Sequence, residues 1–293
     1  MTSNGCSVIN NAEHPFDLRT PMDTYNSIQL TGPVIRNFSD SRISGNKGLK
    51  PVPESQEAAA KLTTSLNDII YQFGSFPAYS IVIGVCDDGL PLVLDLSKPR
   101  PGSILVYRNS DHETTELINS ICLSGVRINP PDDLAVCVIA KDPDGYLDLM
   151  GYPHTQSMLA PYEKSAGNLV LELSAIAEQR RYGRELGPAF LLVIDDLYSF
   201  LSYNTDYGVF VNFKWLMNFG PRSMIWPLIA IRDSSISKFN QSLSSLFPFQ
   251  ITPSKMITSS SNAEPRSNSN SLNHPLMNAK IGTRNLAFYP LTE

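Results

Sequence analysis

Apolar positions along the chain fall into short blocks that switch between a helical and a strand period. From Glu54, Leu62, Leu66, Ile69, Ile70 and Phe73 recur at helical spacing, and Gly74 supplies a stop. Ser80–Val85 and Leu90–Leu94 are apolar runs on either side of Cys86-Asp87-Asp88-Gly89, the pattern of a hairpin with an Asp-Gly turn. Ser103–Tyr107 predicts a strand. Ser110–Ser124 predicts a helix with Leu117, Ile118 and Ile121 on one face. Leu134–Ala140, Phe190–Ile194 and Pro227–Ile231 are continuous apolar runs of the kind that form buried strands. Between them lie helical patterns at Tyr162–Tyr182, with Leu169, Leu173, Ile176 and Ala177 on one face, and at Val209–Phe219. Ser235–Leu246 carries Ile236, Phe239, Leu243 and Leu246 at helical spacing. Strands alternating with helices predict an α/β fold with a mostly parallel central sheet flanked by helices.

The blocks divide the chain. Residues 1–54 mix Asn, Ser, Asp and Pro with isolated apolar residues and are expected to be poorly ordered, apart from one short strand over Ile28–Ile35. Residues 55–257 form the patterned domain. Residues 258–274 hold six serines and four asparagines and read as a flexible linker or insertion, with almost nothing to bury. Residues 275–293 return to the sheet, Leu286–Leu291 being the candidate for a final edge strand.

The chain has 293 residues, 42% hydrophobic and only 17% charged, with a formal charge of -5. That balance argues against coating nucleic acid by bulk charge. The apolar blocks are too short to span a bilayer, and the N-terminus carries neither a basic start nor an apolar stretch. Cys6, Cys86, Cys122 and Cys137 are scattered, which disfavours a disulfide framework or a zinc site. A cytoplasmic chain with reduced thiols is expected, reaching the membrane periphery through a partner if at all.

The chemistry concentrates at Phe190-Leu191-Leu192-Val193-Ile194-Asp195-Asp196, an apolar strand ending in two carboxylates. In nucleotide-hydrolysing folds the Walker B strand holds its first acid beside magnesium, and the second orients the attacking water. The plainer reading is a buried strand that ends, as it must, in something polar. Four histidines stand far apart in sequence, and Asp142, Asp144 and Asp148 lack the closing Glu of a calcium loop. Arg180, Arg181 and Arg184 cluster at a helix end. They read either as partners of the helix dipole or, together with Arg232, as contacts to a neighbouring subunit or to DNA.

The order of these motifs resembles the P-loop motor domain of FtsK/SpoIIIE (HerA-FtsK) translocases and of type VII secretion ATPases. Pro131-Asp132-Asp133 leads through an apolar strand to Asp142-Pro143-Asp144-Gly145. Tyr152-Pro153-His154 follows, then Glu178-Gln179-Arg180-Arg181-Tyr182 and the Asp195 strand. Upstream, Ile83-Gly84-Val85 through Val93-Leu94-Asp95-Leu96 is similar to the hairpin before that family's phosphate loop. The resemblance covers roughly residues 80–251. It implies a RecA-like P-loop NTPase fold, with magnesium at Asp195 and catalysis at Asp195 and Asp196.

The family's phosphate loop needs glycines, so that backbone N–H groups wrap the phosphates, and a lysine for the β/γ oxygens. Here the stretch is Tyr107-Arg108-Asn109-Ser110-Asp111-His112-Glu113-Thr114-Thr115, with neither glycine nor lysine. Ser110, Thr114 and Thr115 are the hydroxyls left to meet a nucleotide. Ser110 and Glu113 instead fit a capping box, and Asp111 and Glu113 repel a triphosphate. Asp196 replaces the family's longer Glu, and Arg232 its Gln. The expectation is a pseudo-ATPase with vestigial acids and no cofactor. Such a chain would be a structural or regulatory subunit whose partner is an intact FtsK/HerA-like motor or further copies of itself. The alternative is an active ATP-dependent DNA translocase that uses Mg-ATP through an atypical loop.

Overall fold

The computed structural model describes residues 64–108, 110–183, 187–232, 245–253 and 276–292. The segments 1–54 and 258–274, and most of the helix expected over 235–246, lie outside the described residues.

The first described helix, α1 (Leu66–Phe73), starts at Ser65, whose side chain accepts from the Asp68 N–H, and stops at Gly74 with φ +71°. Ser80–Cys86 (β1) and Pro91–Asp95 (β2) form the hairpin, with Gly89 at φ +81° and the Leu90 N–H held by Asp88 Oδ1 at 3.0 Å. Then follow β3 (Ile104–Arg108), α2 (Asp111–Ile128), β4 (Leu134–Ile139), a 3-10 turn (Pro143–Tyr146) and α3 (Leu147–Met150). Next come β5 (Thr155–Leu159), α4 (Lys164–Arg181), β6 (Ala189–Ile194), α5 (Leu197–Tyr203), α6 (Tyr207–Phe219) and a second 3-10 turn (Gly220–Ser223). Strands β7 (Ile225–Arg232), β8 (Phe249–Pro253), β9 (Met277–Ile281) and β10 (Arg284–Pro290) complete the described elements.

All ten strands share one sheet, in the order β2-β1-β10-β9-β8-β3-β7-β6-β4-β5. The six from β8 to β5 run parallel, and the rest form an antiparallel wing. Burial on both faces explains why the central parallel strands β4, β6 and β7 read as unbroken apolar runs. Leu191 and Val193 of β6, with Trp226 and Leu228 of β7, pack under α1 and α2. Leu192, Ile194 and Ile229 pack under α4, α5 and α6. Trp226 is fully buried and donates its indole N–H to the Leu96 carbonyl at 2.8 Å. No described helix is long and apolar enough to cross a membrane.

The C-terminal return differs from the edge strand expected over Leu286–Leu291. β10 lies between β1 and β9, inside the sheet, because β9 and β10 form a hairpin that bridges the parallel strands to the β1–β2 hairpin.

Candidate functional site

Parallel strands bring their carboxyl ends to one edge, where open α/β sheets gather ligands. Here that edge carries the start of α2 after β3, Lys141–Gly145 after β4, and Asp195 and Asp196 after β6. β7 lies between β3 and β6, Ile194 being level with Ile229 and Tyr107 with Ile231. The acids and the α2 start therefore stand on the same edge, about 10 Å apart across two strand spacings.

Asp195 is buried. Its N–H donates to the Ile139 carbonyl at 3.1 Å, and its Oδ1 accepts from the Lys141 backbone N–H at 3.0 Å. The carboxylate thus fixes the turn that leaves β4. Asp196 is also buried and is the N-cap of α5. Its two oxygens accept from the Ser199 N–H at 3.2 Å and the Ser199 hydroxyl at 2.9 Å.

Between Arg108, the last residue of β3, and Asp111, the first of α2, only Asn109 and Ser110 remain. Ser110 Oγ accepts from the Glu113 N–H at 3.2 Å, so one donor of the helix start is already used. Thr114 is buried, and its hydroxyl donates to the Ser110 carbonyl at 2.8 Å. Thr115 packs on Gly145 so closely that a Cβ at Gly145 would come within 2.6 Å of its Cγ2. Asp111 and Glu113 are exposed, and His112 Nδ1 lies 3.3 Å from Glu116.

Of the basic residues, Arg180 and Arg181 stand elsewhere, whereas Arg232 ends β7 on the same carboxyl edge as Asp195. α4 runs back from β5 to the start of β6, so Arg180 and Arg181 lie at the opposite edge from Asp195. Arg180 is only 7% exposed. Its Nη1 donates to the Ser223 carbonyl at 2.9 Å and its Nη2 to the Pro188 carbonyl at 2.8 Å, while the guanidinium stacks over Phe190 at 5.3 Å. Desolvation lowers its pKa from the ordinary arginine value. It clamps α4 to the turns before β6 and β7 and presents no free donor fork to the surface. Arg181 is exposed. Arg184 lies outside the described residues. Arg232 ends β7, level with Arg108. His154 is buried, with Nε2 at 2.9 Å from the Asn129 carbonyl, on a turn. Among the described residues no three His, Cys, Asp or Glu side chains group as a metal site.

The role of the Lys141 N–H was hidden from the sequence, because a backbone donor leaves no residue signature. The capping by Asp196 was readable: an Asp three residues before Ser199, ahead of an apolar run, is an N-cap pattern.

No protein-family model and no curated protein sequence matches the chain. Solved structures do. ATPases 2 and 3 of EccC from Thermomonospora curvata, solved with a signal sequence peptide, superpose with a TM-score of 0.55 at 16% identity, over 74% of this chain and 41% of that one. ATPases 2 and 3 of EssC from Geobacillus thermodenitrificans give 0.53 at 16%, over 83% and 48%. A protein described only as an ATPase gives 0.56 at 11%, over 79% and 96%. The chain therefore spans less than half the length of the EccC and EssC chains. Its fold is that of the FtsK/SpoIIIE-like P-loop ATPase domains, a RecA-like α/β domain.

Proposed function

We propose that the chain is a non-catalytic FtsK/HerA-like subunit, a pseudo-ATPase that gives structure or regulation to a translocase- or secretion-type assembly. The observation that carries this reading is the two-residue connection from β3 to α2, capped by Ser110 and flanked by the exposed Asp111 and Glu113. A triphosphate needs a longer, glycine-rich wrap of N–H donors and a lysine. The residues present do not fit Mg-ATP. Ser110 and Thr114 spend their hydroxyls on the chain's own backbone, and Asp195 and Asp196 each hold a turn or a helix start. The partner is an intact motor subunit or further copies of this chain, in the cytoplasm or brought to the membrane periphery by that partner. The signal-peptide complex of the EccC neighbour supports a partner-binding role for the fold.

The active-translocase reading draws on one observation: Asp195 sits buried at the end of a central strand, on the edge where a magnesium-holding acid belongs. A phosphate-release assay with the full chain and Mg-ATP, with and without DNA, separates the two. The pseudo-ATPase releases no phosphate above background. Turnover that disappears on Asp195→Ala establishes the translocase.

A further inference from the structure

The packing under α4 is not closed. Ser157 of β5 and Cys137 of β4 lie side by side in the parallel register. Phe190 stands two residues before Leu192, the β6 neighbour of Cys137, so all three point to one face of the sheet. Leu169, Leu173 and Ile176 of α4 cover that face. Between helix and strands lies a cavity of about 270 Å³. That volume falls just below the range of drug-sized sites and suits a molecule with one ring or a branched chain. Phe190 precedes Asp195 by five residues, roughly 16 Å along a strand, so the cavity is separate from the carboxyl edge of the sheet.

Its apolar walls carry few polar groups. Apart from Gln156, an exposed residue of β5, these are Ser157, Cys137 and Glu172. Ser157 Oγ is buried with no conventional hydrogen-bond partner; beside it stands the Cys137 thiol, a weak donor and acceptor. Burial pushes that thiol up to about 11, the Ser157 hydroxyl opposes the rise, and the charge of Glu172 adds to it. The Glu172 carboxylate is therefore felt inside the cavity. No described cation pairs with it. Its helix neighbours at three and four residues are Asn168, Leu169, Ala175 and Ile176, and no lysine, arginine or histidine lines the cavity. Arg180, stacked on Phe190, is committed to the Ser223 and Pro188 carbonyls.

We propose that this cavity binds a small organic amine with an aromatic or branched apolar body, its ammonium at Glu172 and its body between α4 and Phe190. The site has the composition of a ligand pocket: apolar walls and a few polar groups that fix orientation. A carboxylate without a cation selects a cationic head over an anionic one, and the part-enclosed surroundings strengthen that attraction above its value in water. The ammonium N–H groups donate to Glu172 and to the unsatisfied Ser157 Oγ, which accepts. A neutral alcohol of the same shape fills the walls but gains no charge-assisted bond. A lysine side chain, with its unbranched stem, leaves much of the cavity unfilled. The proposal goes beyond the pseudo-ATPase reading and does not depend on it, since no residue of the carboxyl edge takes part.

Saturation-transfer NMR and thermal unfolding of the full chain test this with three probes of matched shape: phenethylamine, 2-phenylethanol and 3-phenylpropionate. The amine binds with a dissociation constant of about 0.1–1 mM, the range open to so small a ligand. At ten times that constant it raises the thermal midpoint by about 3–6 °C. The alcohol binds at least about tenfold more weakly, the loss of one charge-assisted bond, and the carboxylate does not bind. Glu172→Gln, at an exposed position, weakens the amine at least about tenfold and leaves the alcohol unchanged. Ile176→Trp, which fills the cavity from its α4 wall, removes binding of both; circular dichroism confirms that each variant folds. A wild type that does not bind the amine, or binds the carboxylate as tightly, overturns the proposal. So does a Glu172→Gln chain that keeps the wild-type preference, or a folded Ile176→Trp chain that still binds. The measurements contain no nucleotide, so none of these outcomes bears on ATP binding.

Discussion

Replacing Arg180 decides whether the cluster at the end of α4 serves the fold or the surface. Its guanidinium donates to two backbone carbonyls, of Ser223 and Pro188, and stacks on Phe190. In Arg180→Ala both charge-assisted bonds are lost, at about 1.5–3 kcal/mol each, leaving carbonyls in or near the interior without that donor. Lost packing of the side-chain stem adds to this. Allowing for some re-solvation of the partly open Pro188 side, the cost is about 3–5 kcal/mol. For a chain of this size that lowers the thermal midpoint by about 6–20 °C, at 2–4 °C per kcal/mol. Arg180→Lys keeps the charge but reaches one carbonyl only, and recovers about half of the loss. Arg181→Ala, at an exposed position, stays within about 0.5 kcal/mol. Urea and thermal unfolding of the three variants provide the assay. An Arg180→Ala chain as stable as the wild type, or an Arg181→Ala chain that loses more, would refute the clamp and return Arg180 to the list of surface contacts.

Asp196→Ala should cost about 1 kcal/mol by removing the α5 cap, and Asp196→Ser should restore most of it; urea midpoints read the difference. Gly125→Ala should destabilise by about 1–3 kcal/mol although Ala favours helices, because the new Cβ would lie 2.7 Å from Leu134 Cδ2 and 3.0 Å from Ile81 Cγ2. Burial pushes the Cys122 thiol up to about 12 and Cys137 to about 11. Thiols raised in the folded state contribute stability that is complete below the unfolded value of about 8.5 and is lost as pH rises towards the folded values. The thermal midpoint should accordingly fall between pH 9 and 11, and fall less steeply in Cys122→Ala; an equal slope in both chains contradicts this.

The central parallel strands β4, β6 and β7 were legible because each is buried on two faces and reads as an unbroken apolar run: Leu134–Ile139, Ala189–Ile194 and Ile225–Arg232 sit within a few residues of the expected blocks. The strands missed are those whose signal is diluted. β5 (Thr155–Leu159) is an edge strand and mixes polar with apolar residues. β9 buries only Met277, Ala279 and Ile281 in alternation, directly after a Ser/Asn-rich stretch that reads as linker. The site was half legible. Asp195, Asp196 and the capped start of α2 follow from residue types, and their shared edge follows from parallel topology. The fate of Arg180 did not follow, because a basic cluster at a helix end looks the same in sequence whether it faces solvent or bends inward to two carbonyls.

Isothermal titration calorimetry of the full chain with Mg-ATP bears most directly on whether the edge holding Asp195 and Ser110 takes a nucleotide. An intact loop supplies a lysine and several converging N–H donors. Losing them at about 1.5–3 kcal/mol per charge-assisted bond, with Asp111 and Glu113 added as repulsion, moves a micromolar site to millimolar or weaker. The predicted titration shows no resolved heat of binding at sub-millimolar ATP. A dissociation constant tighter than about 50 μM would contradict the pseudo-ATPase reading.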